Sequence, residues 1–333
     1  MNPLHAARAL AGRFLVARGR LRSRRSERVL RSGLARLPLS GDVVFVVAMP
    51  QAAHLTYLAV RYCVQNTPWR PVVILNGLAA TESQSIRRVL GAQATFIGLP
   101  AGVGHPQVID ALVQTQEMPF WCLDHDCLIT EPIPELARSP SLREGGVGTA
   151  FFSHTDTRLG LRTPETFLMH INSPRLRSLA RTYGVNAGVY SWASLPPAAA
   201  DAICTVGLAR GAYPQYYKDY FDTLRALSLL AVAAGCPFSY PRDFGAVCDP
   251  FQPVTHVGGT SFLRGEEPCA YHLLGGWFWH CALAAYPDAE IRSAYRLGAA
   301  FTQPHFLERL RSAADAPAAS VLARLEEIVA GCP

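Results

Sequence analysis

Apolar runs typical of buried strands alternate with helical patterns over residues 42–129, and this alternation restricts the chain to few folds. The run Asp42-Val-Val-Phe-Val-Val-Ala48 is continuous and rich in β-branched residues, as expected of a strand that is buried on both faces. Further strands are predicted at 71–75 and 94–98, with helices at 51–66, 81–91 and 106–116. Strand-helix repeats before a fourth strand predict an α/β fold with a mostly parallel sheet flanked by helices.

Two carboxylates interrupt the fourth apolar run, Phe120-Trp-Cys-Leu-Asp-His-Asp-Cys-Leu-Ile129. If this run is one continuous strand, Asp124 and Asp126 leave the same face about 7 Å apart, and His125 leaves the other. Adjacent anions are costly to bury, and a divalent cation such as Mg²⁺ or Mn²⁺ prefers oxygen ligands. Because ligands of parallel sheets bind at the carboxyl ends of strands, the pair predicts a metal site there. The alternative is a pair of solvated turn residues.

The second half of the chain has a mixed pattern. Strands are predicted at 148–152 and 188–192, a helix at 222–234, and a Pro/Gly-rich loop region at 249–270. The last forty residues have a helical pattern. We therefore predict three parts, in chain order an N-terminal basic helical arm (1–40), one α/β domain (41–285) and a helical C-terminal segment (286–333).

The arm carries most of the positive charge of the protein. Residues 1–40 hold ten arginines and one acidic residue, Glu27, whereas the other 293 residues hold 21 basic and 24 acidic side chains. The body lacks a basic stripe interleaved with aromatic residues, so no nucleic-acid partner is predicted. The apolar residues among the arginines predict an amphipathic helix that binds an anionic membrane surface: Leu4, Leu10, Phe14, Leu15, Leu21 and Leu30. The alternative to membrane binding is a helix that packs on the body.

Composition indicates a soluble globular protein of a reducing compartment. Half of the residues are hydrophobic and 17% are charged, and no apolar stretch approaches the ~20 residues that a membrane span requires. The N-terminus lacks the apolar core of a secretory signal, and the nine cysteines form no CxxC pair. We therefore expect a cytoplasmic protein, peripheral at the inner face of the membrane if the arm binds lipid.

Three short segments resemble those of the GT-A glycosyltransferases, which use nucleotide-diphosphate sugars. They are Leu123-Asp-His-Asp126, Asn186-Ala-Gly-Val-Tyr190 and His272-Leu-Leu-Gly275-Gly-Trp277, and the last is similar to a segment of glycosyltransferase family 8. The resemblance implies a GT-A-like fold and a metal-dependent sugar transfer with Mn²⁺ or Mg²⁺. It also implies a nucleotide-sugar donor, with a UDP-sugar favoured, and a glycan or lipid acceptor.

The same resemblance implies roles for individual residues. Asp126 would bind the metal directly, and Asp124 would reach the ribose hydroxyls or bind the metal through water. His272 would complete the coordination sphere with a ring nitrogen, although His256 is also followed by glycine three residues later. The sugar or acceptor pocket would be lined by the segment that consists of Asn186, Ala187 and Gly188.

Two further assignments are left open by the sequence. Asp222 or Asp219 would act as general base for the acceptor hydroxyl if the reaction inverts, and the alternative for Asp222 is the N-cap of the helix that follows. His54 lies in the loop expected after the first strand, where it would contact the nucleotide base.

Two other functions compete with glycosyl transfer. A haloacid-dehalogenase-like phosphatase would use Asp124 as nucleophile and Asp126 as general acid, but its aspartates end the first strand and a later acidic metal motif is absent. A non-catalytic module that binds a membrane surface would need neither carboxylate.

Overall fold

The structure is a computed structural model that describes most of the first 275 residues. No side chain is described for His54 or for most residues of the last three strands. The described ranges are 24–37, 42–50, 53–129, 132, 145–156, 160–214, 220–241, 244–248, 257–264 and 267–275.

Strands and helices alternate in the first half of the chain as the hydrophobic pattern predicts. All six residues of the first strand and all four of the fourth strand are buried, as expected for strands covered on both faces. The helices are α1 (Arg24–Ala35), α2 (Ala53–Asn66), α3 (Ala80–Leu90) and α4 (His105–Thr115), and the strands are β1 (Val43–Ala48), β2 (Arg70–Asn76), β3 (Thr95–Leu99) and β4 (Phe120–Leu123).

Three later strands, β6 (Gly148–Ala150), β9 (Leu168–Ile171) and β10 (Phe238–Ser239), join these four. Together they form a seven-stranded sheet with the order β10-β6-β9-β4-β1-β2-β3. Read from the β3 edge, the first four strands have the order 3-2-1-4 of doubly wound α/β folds. The sheet is mixed, because β6 pairs with β9 antiparallel and with β10 parallel. The predicted α/β architecture, a mostly parallel sheet flanked by helices, is confirmed.

The middle of the chain supplies the remaining strands of this sheet and three helices. Residues 188–192 are not the strand that the sequence predicts, because Tyr190 forms only an isolated bridge with Phe221 before a 3₁₀ turn at Trp192–Ser194. The elements are β6 (Gly148–Ala150), the hairpin β7 (Ser153–Asp156) and β8 (Leu161–Pro164), β9 (Leu168–Ile171), α5 (Ser173–Tyr183), α6 (Pro197–Thr205), α7 (Arg225–Ala233) and β10 (Phe238–Ser239).

A second sheet consists of four strands, β5 (Cys127–Ile129), β11 (Phe244–Cys248), β12 (Val257–Arg264) and β13 (Glu267–Gly275). Their order in the sheet is β11-β12-β13-β5. β12 pairs antiparallel with both β11 and β13. The prediction of a loop region over 249–270 is therefore wrong for β12 and the start of β13. Its glycines and prolines suggested a loop, but pairing on both sides of β12 supplies contacts that local composition does not reveal.

The chain divides into two compact units, each of which contains several separate stretches of sequence. The first holds the described parts of Met1–Phe45, Ile97–Cys122 and Arg138–Pro241, and the second holds those of Val46–Phe96, Leu123–Ala137 and Arg242–Pro333. The predicted division at residues 40 and 285 stays a prediction, and 286–333 lies outside the described residues.

Aromatic and aliphatic side chains form the core of the first unit. Phe45 and Phe120 pack edge to face with ring centroids 5.4 Å apart, and Trp121 contacts Phe151 and His170. The first seven residues of α7 are all buried, so this helix is central to the unit. In the second unit β2 is buried from Pro71 to Asn76.

Helix α1 packs on the body of the first unit, the alternative to membrane insertion that the sequence left open. Leu30 and Leu34 are fully buried, and the Oγ atom of Ser26 accepts a hydrogen bond from the backbone of Ala101. A Cβ atom on Gly33 would lie 2.9 Å from a methyl group of Ile97, so glycine permits this close approach. Leu30 therefore does not belong to a membrane-binding apolar face. Within the described ranges, no helix is long and apolar enough to cross a membrane.

Candidate metal centre

A turn, and not a continuous strand, carries the two carboxylates. β4 ends at Leu123 and β5 begins at Cys127 in the other sheet, and the Cys127 N–H donates to the Asp124 carbonyl at 3.0 Å. The interpretation of Phe120 to Ile129 as one strand is therefore wrong. Aspartates favour turns, and here the chain passes from the first sheet, at the end of β4, to the second sheet, at the start of β5. Asp124 directly follows Leu123, the last residue of β4, so the turn begins at the carboxyl end of the fourth strand.

The strand β13 brings His272 to this turn. In the antiparallel ladder between β13 and β5, His272 is opposite Cys127 and Tyr271 is opposite Leu128. This register places the histidine next to Asp126. Strand β5 is also anchored to α2, because the Asn66 side-chain amide donates to the carbonyl of Ile129 at 2.6 Å.

Asp124, Asp126 and His272 form a compact cluster within the second unit. The Nε2 atom of His272 lies 3.2 Å from Oδ1 of Asp126 and 3.9 Å from Oδ2 of Asp124. One ligand atom from each side chain lies within 4.8 Å of the others. Asp126 and His272 are 7% and 4% exposed, whereas Asp124 is only partly buried.

The surroundings of Asp126 favour its charged form. Burial alone raises the pKa of this carboxyl, but charge attraction from His272 and His125, together with a hydrogen bond from His272, lowers the pKa below its ordinary value. The carboxylate is consequently ionised at neutral pH. The carboxylate of Asp126 therefore needs no deprotonation before it binds a cation, whereas His272 must release the proton that it donates to Asp126 before its Nε2 atom can act as a ligand.

This donor set fits a divalent cation. Two carboxylates suit Mg²⁺ or Mn²⁺, and the imidazole nitrogen favours Mn²⁺ of the two. β4 and β1 are neighbours in the sheet although they are distant in sequence, so the order of strands reverses between them. In open α/β sheets the crevice outside the carboxyl ends of such strands is where ligands bind. Asp124 directly follows β4 and therefore lies at this edge.

The Asn186–Gly188 segment forms a turn in the first unit that uses its own polar groups. The side-chain oxygen of Asn186 accepts hydrogen bonds from the Gly188 N–H at 2.9 Å and from the Tyr190 hydroxyl at 2.8 Å. The Ala187 N–H donates to Asp110 at 3.4 Å, and its carbonyl accepts from the Leu224 N–H at 3.1 Å. Asn186 is exposed and Ala187 is buried.

Asp222 precedes α7 but does not cap it. Its Oδ1 atom accepts from the N–H of Thr223 at 2.8 Å, whereas Leu224 occupies the position before the helix and no side chain caps it. The N-cap alternative for Asp222 is therefore wrong. Leu224 has φ 63°, which makes it the one non-glycine residue with positive φ in the described part of the chain.

The other predicted site residues have less structural context. His54 is the second residue of α2 and not part of a loop, and its side chain lies outside the described set. Asp219 and His256 both fall outside the described residues, so the choice between His256 and His272 as ligand stays a prediction.

Two residues near these segments were missed by the sequence reasoning. His125 contributes to the charge around Asp126, whereas a strand would have directed it to the opposite face. Asp110 accepts from the Ala187 backbone and pairs with Arg31 at 3.6 Å. Proximity in sequence to Asp124 and Asp126 is a signal for His125, but no sequence pattern identifies Asp110.

Solved structures that resemble this chain are GT-A glycosyltransferases, the class that the sequence resembles. The galactosyltransferase LgtC, in complex with donor and acceptor sugar analogues, is 14% identical with a TM-score of 0.32, and the match covers 41% of this chain and 60% of LgtC. GlyE of Streptococcus pneumoniae TIGR4 is 11% identical (TM-score 0.35), and the bifunctional glycosyltransferase WbbM is 12% identical (TM-score 0.31).

The match is partial in each case. For GlyE and for WbbM it covers 62% of this chain and 46% of the other, so this chain spans less than two thirds of the length of all three proteins. No protein-family model matches the sequence, and no curated protein matches it.

Proposed function

We propose that this protein is a metal-dependent glycosyltransferase that transfers a sugar from a nucleotide-diphosphate sugar to a glycan or lipid acceptor. The observation that carries the proposal is the cluster of Asp124, Asp126 and His272 at the carboxyl end of β4. Nucleotide-dependent α/β proteins bind their ligands at this position of the sheet. The three segments that resemble GT-A enzymes support the same function.

In this proposal Asp126 and His272 hold the cation, and Asp124 either shares it or accepts from the ribose hydroxyls. Bound Mn²⁺ or Mg²⁺ would act as a Lewis acid that neutralises charge on the departing diphosphate. The contribution of the protein is to keep Asp126 ionised and buried, so that its carboxylate is ready for the cation. A UDP-sugar is the favoured donor.

The remaining roles are proposals that follow from the resemblance. The turn of Asn186, Ala187 and Gly188 would contact the sugar or acceptor, and its internal hydrogen bonds give it a fixed shape. Asp222 or Asp219 would accept the proton of the acceptor hydroxyl in an inverting reaction. His54 would contact the base.

The phosphatase alternative has no specific support in the described residues. Its nucleophile would follow the first strand of the core, whereas Asp124 follows β4. A non-catalytic module would not require a buried carboxylate whose pKa is lowered by two histidines.

The proposal is tested by the release of nucleoside diphosphate from UDP-, GDP-, CDP- and dTDP-sugars, with and without Mn²⁺. We expect one donor to be consumed, slowly by water and faster with a suitable glycan acceptor. Asp126→Asn should reduce the rate at least ~100-fold, whereas Asp201→Asn, at an exposed surface ion pair, should leave it unchanged. Release that is equal in wild type and Asp126→Asn, or phosphate in place of nucleoside diphosphate as product, would contradict the proposal.

A further inference from the structure

The outward side of α1 is a strongly basic surface. Five arginines are exposed on this helix and on the turn that ends it, and together they are called the basic face: Arg24, Arg25, Arg28, Arg31 and Arg36. The opposite side of the helix, which includes Ser26, Leu30 and Leu34, is buried against the body. Packing of the apolar side therefore fixes the direction in which the arginines point.

The five arginines of the basic face outnumber the acidic side chains that the described residues place near them. Arg31 lies 3.6 Å from Asp110, and Glu27 is the one acidic residue of α1 itself. The rest of the chain beyond residue 40 has more acidic than basic side chains, so the positive charge is local. A local excess of positive charge attracts an extended anionic surface.

We propose that the basic face of α1 docks the protein on a membrane surface that contains anionic phospholipids. Clusters of four to eight arginines or lysines on an amphipathic helix are typical of binding to anionic lipids. The sequence before α1 continues the charge with five more arginines and no acidic residue. It also contains apolar residues such as Leu10 and Phe14, which favour lipid over the phosphate backbone of a nucleic acid.

The structure also determines how α1 would bind. Leu30 and Leu34 are 0% and 1% exposed, so they are not available for insertion into the bilayer. Among the arginines only Val29, at 37% exposed, is a large apolar side chain on the outer surface. Binding through α1 is therefore electrostatic and should weaken as salt screens the charges.

The test uses the full chain and sedimentation with vesicles of phosphatidylcholine, alone or with ~30% phosphatidylserine, at low and high salt. Wild type should bind only the anionic vesicles, and less strongly at ~0.5 M salt. Substitution of Arg24, Arg25, Arg28 and Arg36 by glutamine should weaken binding roughly 100-fold or more.

A matched control removes the same number of charges from exposed arginines elsewhere, with glutamine at Arg70, Arg88, Arg181 and Arg210. This variant should bind as wild type does, and the melting temperatures of both variants should show that they remain folded. The proposal is overturned if the two variants lose vesicle binding equally, or if the α1 variant binds anionic vesicles as well as wild type does. It is also overturned if wild type binds neutral and anionic vesicles equally. Binding of wild type to duplex DNA or RNA but not to anionic vesicles also overturns it. Because no donor sugar is involved, the outcome is independent of the proposed transferase activity.

Discussion

Buried ionisable side chains are accommodated in two ways in this protein. Asp126 and Arg225, which are 7% and 2% exposed, each lie beside an oppositely charged or chargeable side chain, namely His272 and Glu165. His170 is instead buried against the ring of Trp121, with centroids 4.6 Å apart, and burial lowers its pKa to about 4. An oppositely charged neighbour keeps a buried side chain ionised, whereas burial against an aromatic ring favours the neutral form of His170.

His170 should make the stability of the protein depend on pH. Because its folded pKa of about 4 lies below the ordinary value of 6.5, the unfolded chain binds a proton more readily. The free energy of unfolding should therefore fall as pH decreases from about 6.5 to about 4, by up to about 1.4 kcal/mol per pH unit. His170→Phe, which keeps a ring against Trp121, should remove this part of the dependence. Urea unfolding of wild type and His170→Phe between pH 7.5 and 4.5 measures this dependence. If the difference in the free energy of unfolding between the two proteins is constant over this range, His170 is not the cause of the pH dependence.

The Arg225–Glu165 ion pair should be important for stability. The guanidinium of Arg225 lies 2.8 Å from a carboxylate oxygen of Glu165 and also donates to the hydroxyl of Thr163. Glu165→Gln leaves a buried cation without its counter-charge, so we expect a loss of about 3 kcal/mol in the free energy of unfolding.

The surface pair of Arg210 and Asp201 offers the matched control, because the same carboxylate-to-amide change can be made there. Both side chains of that pair are more than half exposed, so Asp201→Asn should cost less than about 1 kcal/mol. Denaturant unfolding compares the two variants. Similar losses in both would show that the burial of Arg225 has no energetic consequence.

At the scale of elements, the seven-stranded sheet depends on a close approach at β6. A Cβ atom on Gly148 would lie 2.3 Å from the backbone oxygen of His170 and 2.7 Å from the ring of Phe238. A backbone oxygen cannot rotate away, so Gly148→Ser should destabilise the protein by at least about 2 kcal/mol.

Gly104→Ser is the corresponding change at a permissive position. Among the described residues, a Cβ atom there would lie closest to the flexible end of Gln107, and serine is favoured at this N-cap of α4. This variant should melt at or above the wild-type temperature, whereas Gly148→Ser should melt well below it. Comparable melting temperatures for the two variants would contradict the close approach at β6.

Elements with a strong local pattern were predicted well, and those that depend on distant partners were not. β1 and α3 lie within one residue of their predicted ends because apolar runs and a terminal glycine define them. β12 was missed because its pairing with β11 and β13 stabilises a sequence whose composition resembles a loop. The predicted strand at 188–192 is absent for a related reason, since the Asn186 side-chain oxygen accepts hydrogen bonds from the Gly188 N–H and the Tyr190 hydroxyl, and these favour a turn.

The candidate metal centre is assembled from segments that are far apart in the sequence. The sequence predicts a site at the carboxyl end of the fourth strand, because two carboxylates there require a counter-charge. It does not determine the geometry, because a turn and not a strand carries Asp124 and Asp126. The third member, His272, was named by resemblance, and its approach depends on the register of β13 against β5, which no local pattern specifies.

The proposed binding of a divalent cation by Asp124, Asp126 and His272 is tested most directly by Mn²⁺ titration, followed by the electron paramagnetic resonance signal of the free ion. The full chain should bind one Mn²⁺ more tightly in the presence of a nucleoside diphosphate than in its absence. Asp126→Asn should weaken this binding at least ~100-fold, because it removes a charged ligand, whereas Asp201→Asn should bind as wild type does. Equal binding of Mn²⁺ by wild type and Asp126→Asn, or no binding by wild type even with the nucleotide, would contradict the proposed metal site.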